Sequence, residues 1–234
     1  MGKYIDWKVT NKRYVAFIDI MGFKDFILKF SHNEVYELMK TVNASSKFAA
    51  NMKWDGSDEN LVKVAIYSDS IMMYSKDDSY ESFDYLTSSV SSLTNSLLSK
   101  SIPFKGAFAF GEMTLDDKNS IFFGQPLVDA YLLQEELYSY GVIFHASVEE
   151  EMEKQQFKWP IFTAPYLSNL KRGNVTHQTI YPLNARLKKG DKHKEAHDLL
   201  KKGISKLRLK TSGHLRKYID NTEKYLSFVL EYKR

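Results

Sequence analysis

The chain has 234 residues, 43% of them hydrophobic, enough for one large domain, or a domain with an extension, around a sizeable core. It has no cysteine, which excludes disulfides, thiol catalysis and cysteine-ligated metals and suits a reducing cytoplasm, the expected location. The net charge of +4 is mild but uneven: Arg186 to Lys217 holds 12 Lys or Arg against 3 Asp or Glu, a segment that attracts anions or is simply a solvated helical face.

No apolar run reaches the ~18 residues a membrane helix needs, and Met1 to Thr10 is polar, so neither a membrane span nor a secretory signal is expected. Tyr14–Ile20 (YVAFIDI) reads as a strand, and Met21-Gly22-Phe23 turns the chain. Asp25–Phe30 and Glu34–Ala50 read as helix, with Val35, Leu38, Met39 and Val42 at helical spacing. Trp54 to Asn60 is a loop. Leu61–Tyr67 and Ile71–Ser75 read as a hairpin with Asp69 at its tip. Phe83–Leu98 is an amphipathic helix, and Phe104–Phe110 a strand closed by Gly111.

Ile121–Phe123 is a short apolar strand. Gly124–Tyr138 reads as a helix with Leu127, Ala130, Tyr131, Leu133 and Leu137 inward, followed by a strand over Gly141–Ala146. This order predicts an α+β, ferredoxin-like core, an antiparallel-rich sheet with flanking helices, over residues 1–150. Residues 151–234 read as a C-terminal extension: a hairpin of Phe162–Tyr166 and His177–Tyr181, then helices over Glu195–Leu207 and Leu215–Tyr232. The last helix puts Leu215, Tyr218, Ile219, Thr222, Leu226 and Val229 on one face.

The strongest chemical clue is Asp19. An acid ending an apolar strand is costly to bury unless it is paired or binds a metal. Asp69 lies beside it if the two strands are neighbours, and converging carboxylates hold hard cations such as Mg²⁺ over phosphates. Taken alone, an aspartate at a turn reads equally as a turn former. Gly22 and Phe23 let the backbone approach an anion, and Lys24 adds charge, though an ordinary strand-to-helix turn has the same composition.

Phe17-Ile18-Asp19-Ile20-Met21-Gly22-Phe23 resembles the first metal motif of the class III adenylyl and guanylyl cyclases. Ile66-Tyr67-Ser68-Asp69-Ser70 is similar to that family's hairpin with its second metal aspartate. Lys105 to Gly111 (KGAFAFG) is similar to the following strand with its paired glycines, and Gly124 to Ala130 (GQPLVDA) to the glycine-opened helix that carries transition-state residues. The motifs keep the family's order.

The departures are informative. The positions that read a purine base in the family are Ala65 and Ile121 here, and the helix Asn and Arg fall at Val128 and Leu132, or at Asp129 with a slip of one. Retaining the metal half without the purine-reading half resembles the pyrimidine cyclases of bacterial Pycsar antiphage defence. That group's pattern also resembles Gly111-Glu112 and Ala130 to Glu135, and its basic C-terminus resembles Lys217 to Thr222.

The resemblance implies a lyase that converts a nucleoside triphosphate, UTP or CTP, to a 3′,5′-cyclic nucleotide and pyrophosphate. It implies two Mg²⁺ or Mn²⁺ ions held by Asp19, Asp69 and the Ile20 carbonyl, with Gly22, Phe23 and Lys24 on the triphosphate. Tyr67, on the same strand face as Ala65, is a candidate base reader. It further implies a homodimer and a cyclic-nucleotide-sensing effector, with no membrane or nucleic-acid partner. The rival reading is a catalytically silent homologue that binds a nucleotide or a protein. A third, nucleic-acid binding through residues 186–217, predicts steep salt dependence. His145, His177, His193, His197 and His214 invite a zinc reading, but no HExxH is present; nor is a GxSxG elbow or a GxxxxGK[ST] loop.

Overall fold

The computed structural model describes residues 7–52, 60–182 and 191–232. The expected loop after Trp54 lies outside the described residues except for Asn60. So does the start of the basic segment, and the side chain of His193 is likewise outside them.

In chain order the elements are β1 (Thr10–Ile20), α1 (Phe23–Lys29), α2 (His32–Ala50), β2 (Val62–Tyr67), β3 (Ser70–Ser75) and α3 (Tyr80–Ser99). Then come β4 (Phe104–Asp116), β5 (Ile121–Gly124), α4 (Gln125–Glu136), β6 (Val142–Phe144) and α5 (Ala146–Lys154). The chain closes with β7 (Thr163–Leu170), β8 (Gly173–Ile180), α6 (Asp191–Lys210) and α7 (Arg216–Glu231). Local sequence sets several of these starts. Ser31 and Glu34 form a capping box on α2, and the Ser79 hydroxyl caps α3 by accepting from the Ser82 N–H.

All strands join one sheet in the order β2-β3-β1-β4-β6-β8-β7, with β5 paired to β4. The β2-β3-β1-β4 portion is the ferredoxin-like arrangement expected from the βαββαβ order. Every pairing is antiparallel except β4 with β6. The β7–β8 hairpin continues the same sheet through the pairing of Ile143 with Thr179.

Strand alternation divides the core in two. Tyr14, Ala16, Ile18 and Ile20 of β1 pack with α2, α3, α6 and α7 on one face. Val15 and Phe17 point the other way, where α4 is seated on Ala107 and Ala109, and Trp7 and Phe122 pack over the cluster of Val15, Met72 and Tyr74. Small residues beneath α4 let the helix approach closely.

Several boundaries differ from expectation for identifiable reasons. β4 does not stop at Gly111; Glu112, Met113 and Thr114 continue to pair with Lys12, Asn11 and Thr10. The strand expected over Gly141–Ala146 stops at Phe144, and Ala146 instead opens α5, whose start is capped by the His145 ring accepting from the Ser147 N–H. Tyr131 is not inward but 49% exposed. Leu215 stays exposed in a 3-10 turn, and Tyr225 takes its place on the buried face of α7.

Candidate active site

Asp19 is the second-last residue of β1, a central strand paired on both sides. Its register partners are Ser70 of β3 and Lys105 of β4. By alternation it shares the α4 side of the sheet with Phe17, whose ring meets Tyr131 of α4 edge-on at 5.6 Å. The β2–β3 turn is short, and Ser68 adopts the left-handed conformation (φ 55°) that closes it. The Asp69 carbonyl accepts a hydrogen bond from the Ile20 N–H at 2.8 Å, which pins the hairpin tip to the end of β1. The two strands whose neighbourhood the sequence left open are therefore adjacent, and Asp19 and Asp69 sit at one end of the sheet.

Their electrostatics follow from this placement. Burial pushes the Asp19 carboxyl up to about 6, repulsion from Asp69 adds to the rise, Lys105 opposes it and Glu135 adds a little more. Lys105 is nearly fully buried and donates to Glu135 Oε1 of α4 at 2.6 Å. Gln134 donates to the same oxygen at 3.0 Å, and Lys171 lies 3.7 Å from Glu135 Oε2. Lys105 and Glu135, 30 residues apart, were not read as site residues from sequence. The available signal was a lone lysine on a strand face otherwise made of Ala107 and Ala109.

Among the described residues no cluster of three or more His, Asp or Glu is set to hold a metal. The fit to Mg²⁺ or Mn²⁺ rests on the oxygen pair itself. Mg²⁺ is ordinarily held by one or two carboxylates together with substrate phosphates and water, so this donor set suits it. Part of the rise at Asp19 is repulsion between two acids, which a divalent cation would relieve.

Gly22 opens α1 at φ 76°, a conformation costly to any residue with a Cβ. The Phe23 side chain is buried beneath α1, while Lys24 is exposed. Ala65 packs with Met72 and Tyr74. Tyr67 is exposed and its ring lies 5.9 Å from that of Phe122 in β5. Ile121 is exposed and, one residue from Phe122, points from the opposite face of β5. The structure thus draws Tyr67 towards β5 through Phe122, a residue the sequence did not single out, rather than through Ile121. On α4, Val128 (50% exposed) and Leu132 (58% exposed) share a face with Tyr131 and Glu135. Asp129 instead accepts from Gln125 at 2.7 Å and lies 4.0 Å from the His145 ring.

A pH test arises here. The folded Asp19 carboxyl, at about 6, lies above its ordinary 3.8, so the fold favours the neutral form. That contribution is fully present below pH 3.8 and is lost as the pH rises through about 6. Melting temperatures of the metal-free protein and of Asp19→Asn should therefore diverge across this window, the wild type losing stability relative to the variant. Parallel pH profiles would contradict the placement.

Among the solved structures that resemble the chain, two are similar over most of their own length. A bacterial light-regulated adenylyl cyclase is 13% identical with a TM-score of 0.50, over 83% of this chain and 98% of that one. The catalytic core of a rhodopsin-guanylyl cyclase with converted specificity, in complex with ATPαS, is 14% identical with a TM-score of 0.52, over 73% of this chain and 95% of that one. No protein-family model matches the sequence, and no curated protein does. At such identities the likeness concerns architecture: a mostly antiparallel sheet flanked by helices, closed by C-terminal helices, which is the class III nucleotidyl cyclase fold.

Proposed function

We propose that the protein is a nucleotidyl cyclase that uses Asp19 and Asp69 as its metal-holding carboxylates. The observation that carries the reading is the pair itself: two acids brought to one sheet end, one with its carboxyl driven up to about 6, in a class III cyclase fold. In the reaction the 3′ oxygen of a nucleoside triphosphate attacks its own α-phosphorus. The O3′–Pα bond forms, the bond from Pα to the β-bridging oxygen breaks, pyrophosphate leaves and the hydroxyl proton passes to water.

Asp19, Asp69 and the Ile20 carbonyl would hold two Mg²⁺ or Mn²⁺ ions, which supply charge neutralisation on the phosphates and acidify the 3′ hydroxyl. Backbone N–H groups from Gly22 to Lys24, with the Lys24 side chain, would hold the β- and γ-phosphates. The buried Lys105, held by Glu135, moderates the charge of Asp19. Residues 1–150 would form the catalytic core and residues 151–234 its extension.

The substrate reading is a pyrimidine triphosphate, UTP ahead of CTP. Ala65 and Ile121 are apolar where purine cyclases place polar readers, so a purine finds no edge partners there. Tyr67 remains as a base reader. With the four common nucleoside triphosphates compared under Mn²⁺, UTP and CTP should be turned over faster than ATP and GTP. ATP or GTP cyclised at least as fast would overturn the pyrimidine assignment and leave the cyclase reading standing.

The exposed apolar face of α4 supports a homodimer. Val128, Tyr131 and Leu132 are exposed on one face of α4, an arrangement suited to burial against a second copy. Leu132→Arg should yield a folded monomer with activity reduced at least tenfold, roughly the effect of losing one shared site half. A dimeric, fully active Leu132→Arg variant would contradict this surface. The product would act as a second messenger read by a cyclic-nucleotide-sensing effector in antiviral defence, in the cytoplasm.

One observation favours a second reading. Val128 and Leu132 bring no polar group to the positions where the family carries its transition-state Asn and Arg. A silent homologue would bind nucleotide with Mn²⁺ yet release no pyrophosphate.

A further inference from the structure

Lys105 is buried between two carboxylates and pairs with only one of them. It is 6% exposed on β4, and its register partner across the ladder is Asp19 of β1. Directly opposed residues of an antiparallel pair share a face of the sheet, with Cβ atoms about 4.5–5.5 Å apart. The Lys105 ammonium nevertheless goes to α4, 2.6 Å from Glu135 Oε1, and among the described residues no ion pair joins it to Asp19.

Glu135 is itself held in place. The Gln134 side chain donates to the same Oε1 at 3.0 Å, and Lys171, in the β7–β8 turn, stands 3.7 Å from Oε2. That hairpin is tied to the end of α4: the Lys171 N–H donates to the Glu136 carbonyl at 2.8 Å, and the Tyr138 N–H to the Asn169 carbonyl at 2.8 Å.

A buried ammonium that loses its partner carries an uncompensated charge, which is costly, and it turns to the nearest remaining acceptor. With Glu135 neutralised, that acceptor is Asp19. An ammonium and a divalent cation compete for one carboxylate, because both need its oxygens and each repels the other. We propose that Glu135 is a positioning residue of the metal site: by holding the Lys105 ammonium on α4, it leaves Asp19 free to take a divalent cation. The inference rests on the reading of Asp19 and Asp69 as metal-holding carboxylates and adds to it a residue that touches neither metal nor nucleotide.

The consequence is a dependence on Lys105. Glu135→Gln releases the ammonium onto Asp19 and weakens metal binding. Lys105→Met breaks the same ion pair but removes the competitor, so it does not. A merely structural ion pair would make both variants worse, and a direct effect of the Glu135 charge would persist without Lys105.

The test is titration of the full-length protein with Mn²⁺ alone, read by the electron paramagnetic resonance signal of the free ion. Saturable uptake by the wild type that is lost in Asp69→Asn carries the metal reading. Glu135→Gln should then weaken Mn²⁺ affinity roughly fivefold or more, as expected for an unpaired charge beside the ligand. Lys105→Met should bind at least as tightly as the wild type. Adding Glu135→Gln to Lys105→Met should change affinity by less than about twofold, the non-additivity of two residues that act as a unit. Glu150→Gln, the same charge change at an exposed position of α5, should leave affinity unchanged. Wild-type affinity in Glu135→Gln, weaker binding by Lys105→Met, equal weakening by Glu135→Gln in both backgrounds, or equal weakening by Glu150→Gln would each overturn the proposal and leave the metal reading standing. A wild type without saturable uptake, or an Asp69→Asn variant that binds as well, would overturn both. Circular dichroism of each variant separates loss of affinity from loss of the fold.

Discussion

Asp19→Asn and Asp69→Asn are each expected to lower cyclic-nucleotide formation by at least about a thousandfold while leaving the fold in place. The magnitude follows from the role. Each carboxylate would serve both ions, so removing one weakens the whole assembly that neutralises the reacting phosphates. The stability side has the opposite sign from a structural acid. Asp19 is a partly buried acid repelled by Asp69, with its carboxyl driven up to about 6. At pH 8 the amide removes that repulsion, so metal-free Asp19→Asn should melt at or above the wild-type temperature. Pyrophosphate release and a thermal melt on one preparation check both halves. Near-normal turnover would remove the residue from the metal site. A large drop in melting temperature would make it a structural residue instead.

Gly124→Ala is expected to be the most damaging single-methyl substitution near the site. Gly124 joins β5 to α4 and pairs with Met113. A Cβ there would lie 2.4 Å from the Glu112 carbonyl oxygen and 2.9 Å from the Met113 Cα. Both are backbone atoms of a strand paired to β1, so neither retreats without breaking the ladder. Overpacking of this kind costs about 1–3 kcal/mol. In a chain of this size that lowers the melting temperature by roughly 2–4 °C per kcal/mol. The displaced α4 would also carry Glu135 away from Lys105, so turnover should fall with stability. Gly141→Ala is the control: a Cβ there meets nothing within 4 Å. Equal melting temperatures for the two variants would show that the β5–α4 junction is looser than the structure has it.

What was legible in the sequence follows the range of the interactions involved. The period of α3 and the apolar run of β1 are local, and so is the hairpin that carries Asp69. Elements set by tertiary contact were harder to read. α5 carries a run of glutamates over only nine residues and begins on a histidine cap rather than a serine or aspartate. β4 runs past Gly111 because β1 and β5 both pair with its second half, and no residue near Gly111 announces this. The same distinction holds at the site. Asp19 and Asp69 were visible as acids ending strands, but their adjacency depends on β3 lying beside β1, which the motif order suggested and pairing of Asp19 with Ser70 realises. The Lys105–Glu135 pair joins a strand to a helix 30 residues on, and the Tyr67–Phe122 contact joins β2 to β5. Neither leaves a periodic trace.

The central claim is that this sheet end cyclises a nucleoside triphosphate. Its most direct test is to incubate the protein with each of the four common nucleoside triphosphates and Mn²⁺ and identify the products by mass spectrometry. A 3′,5′-cyclic nucleotide and pyrophosphate should form in equal amounts from at least one of them, UTP foremost, and at least about a thousandfold more slowly with the Asp69→Asn protein. Folded protein that binds a nucleoside triphosphate with Mn²⁺ yet forms no cyclic product from any of the four would contradict it.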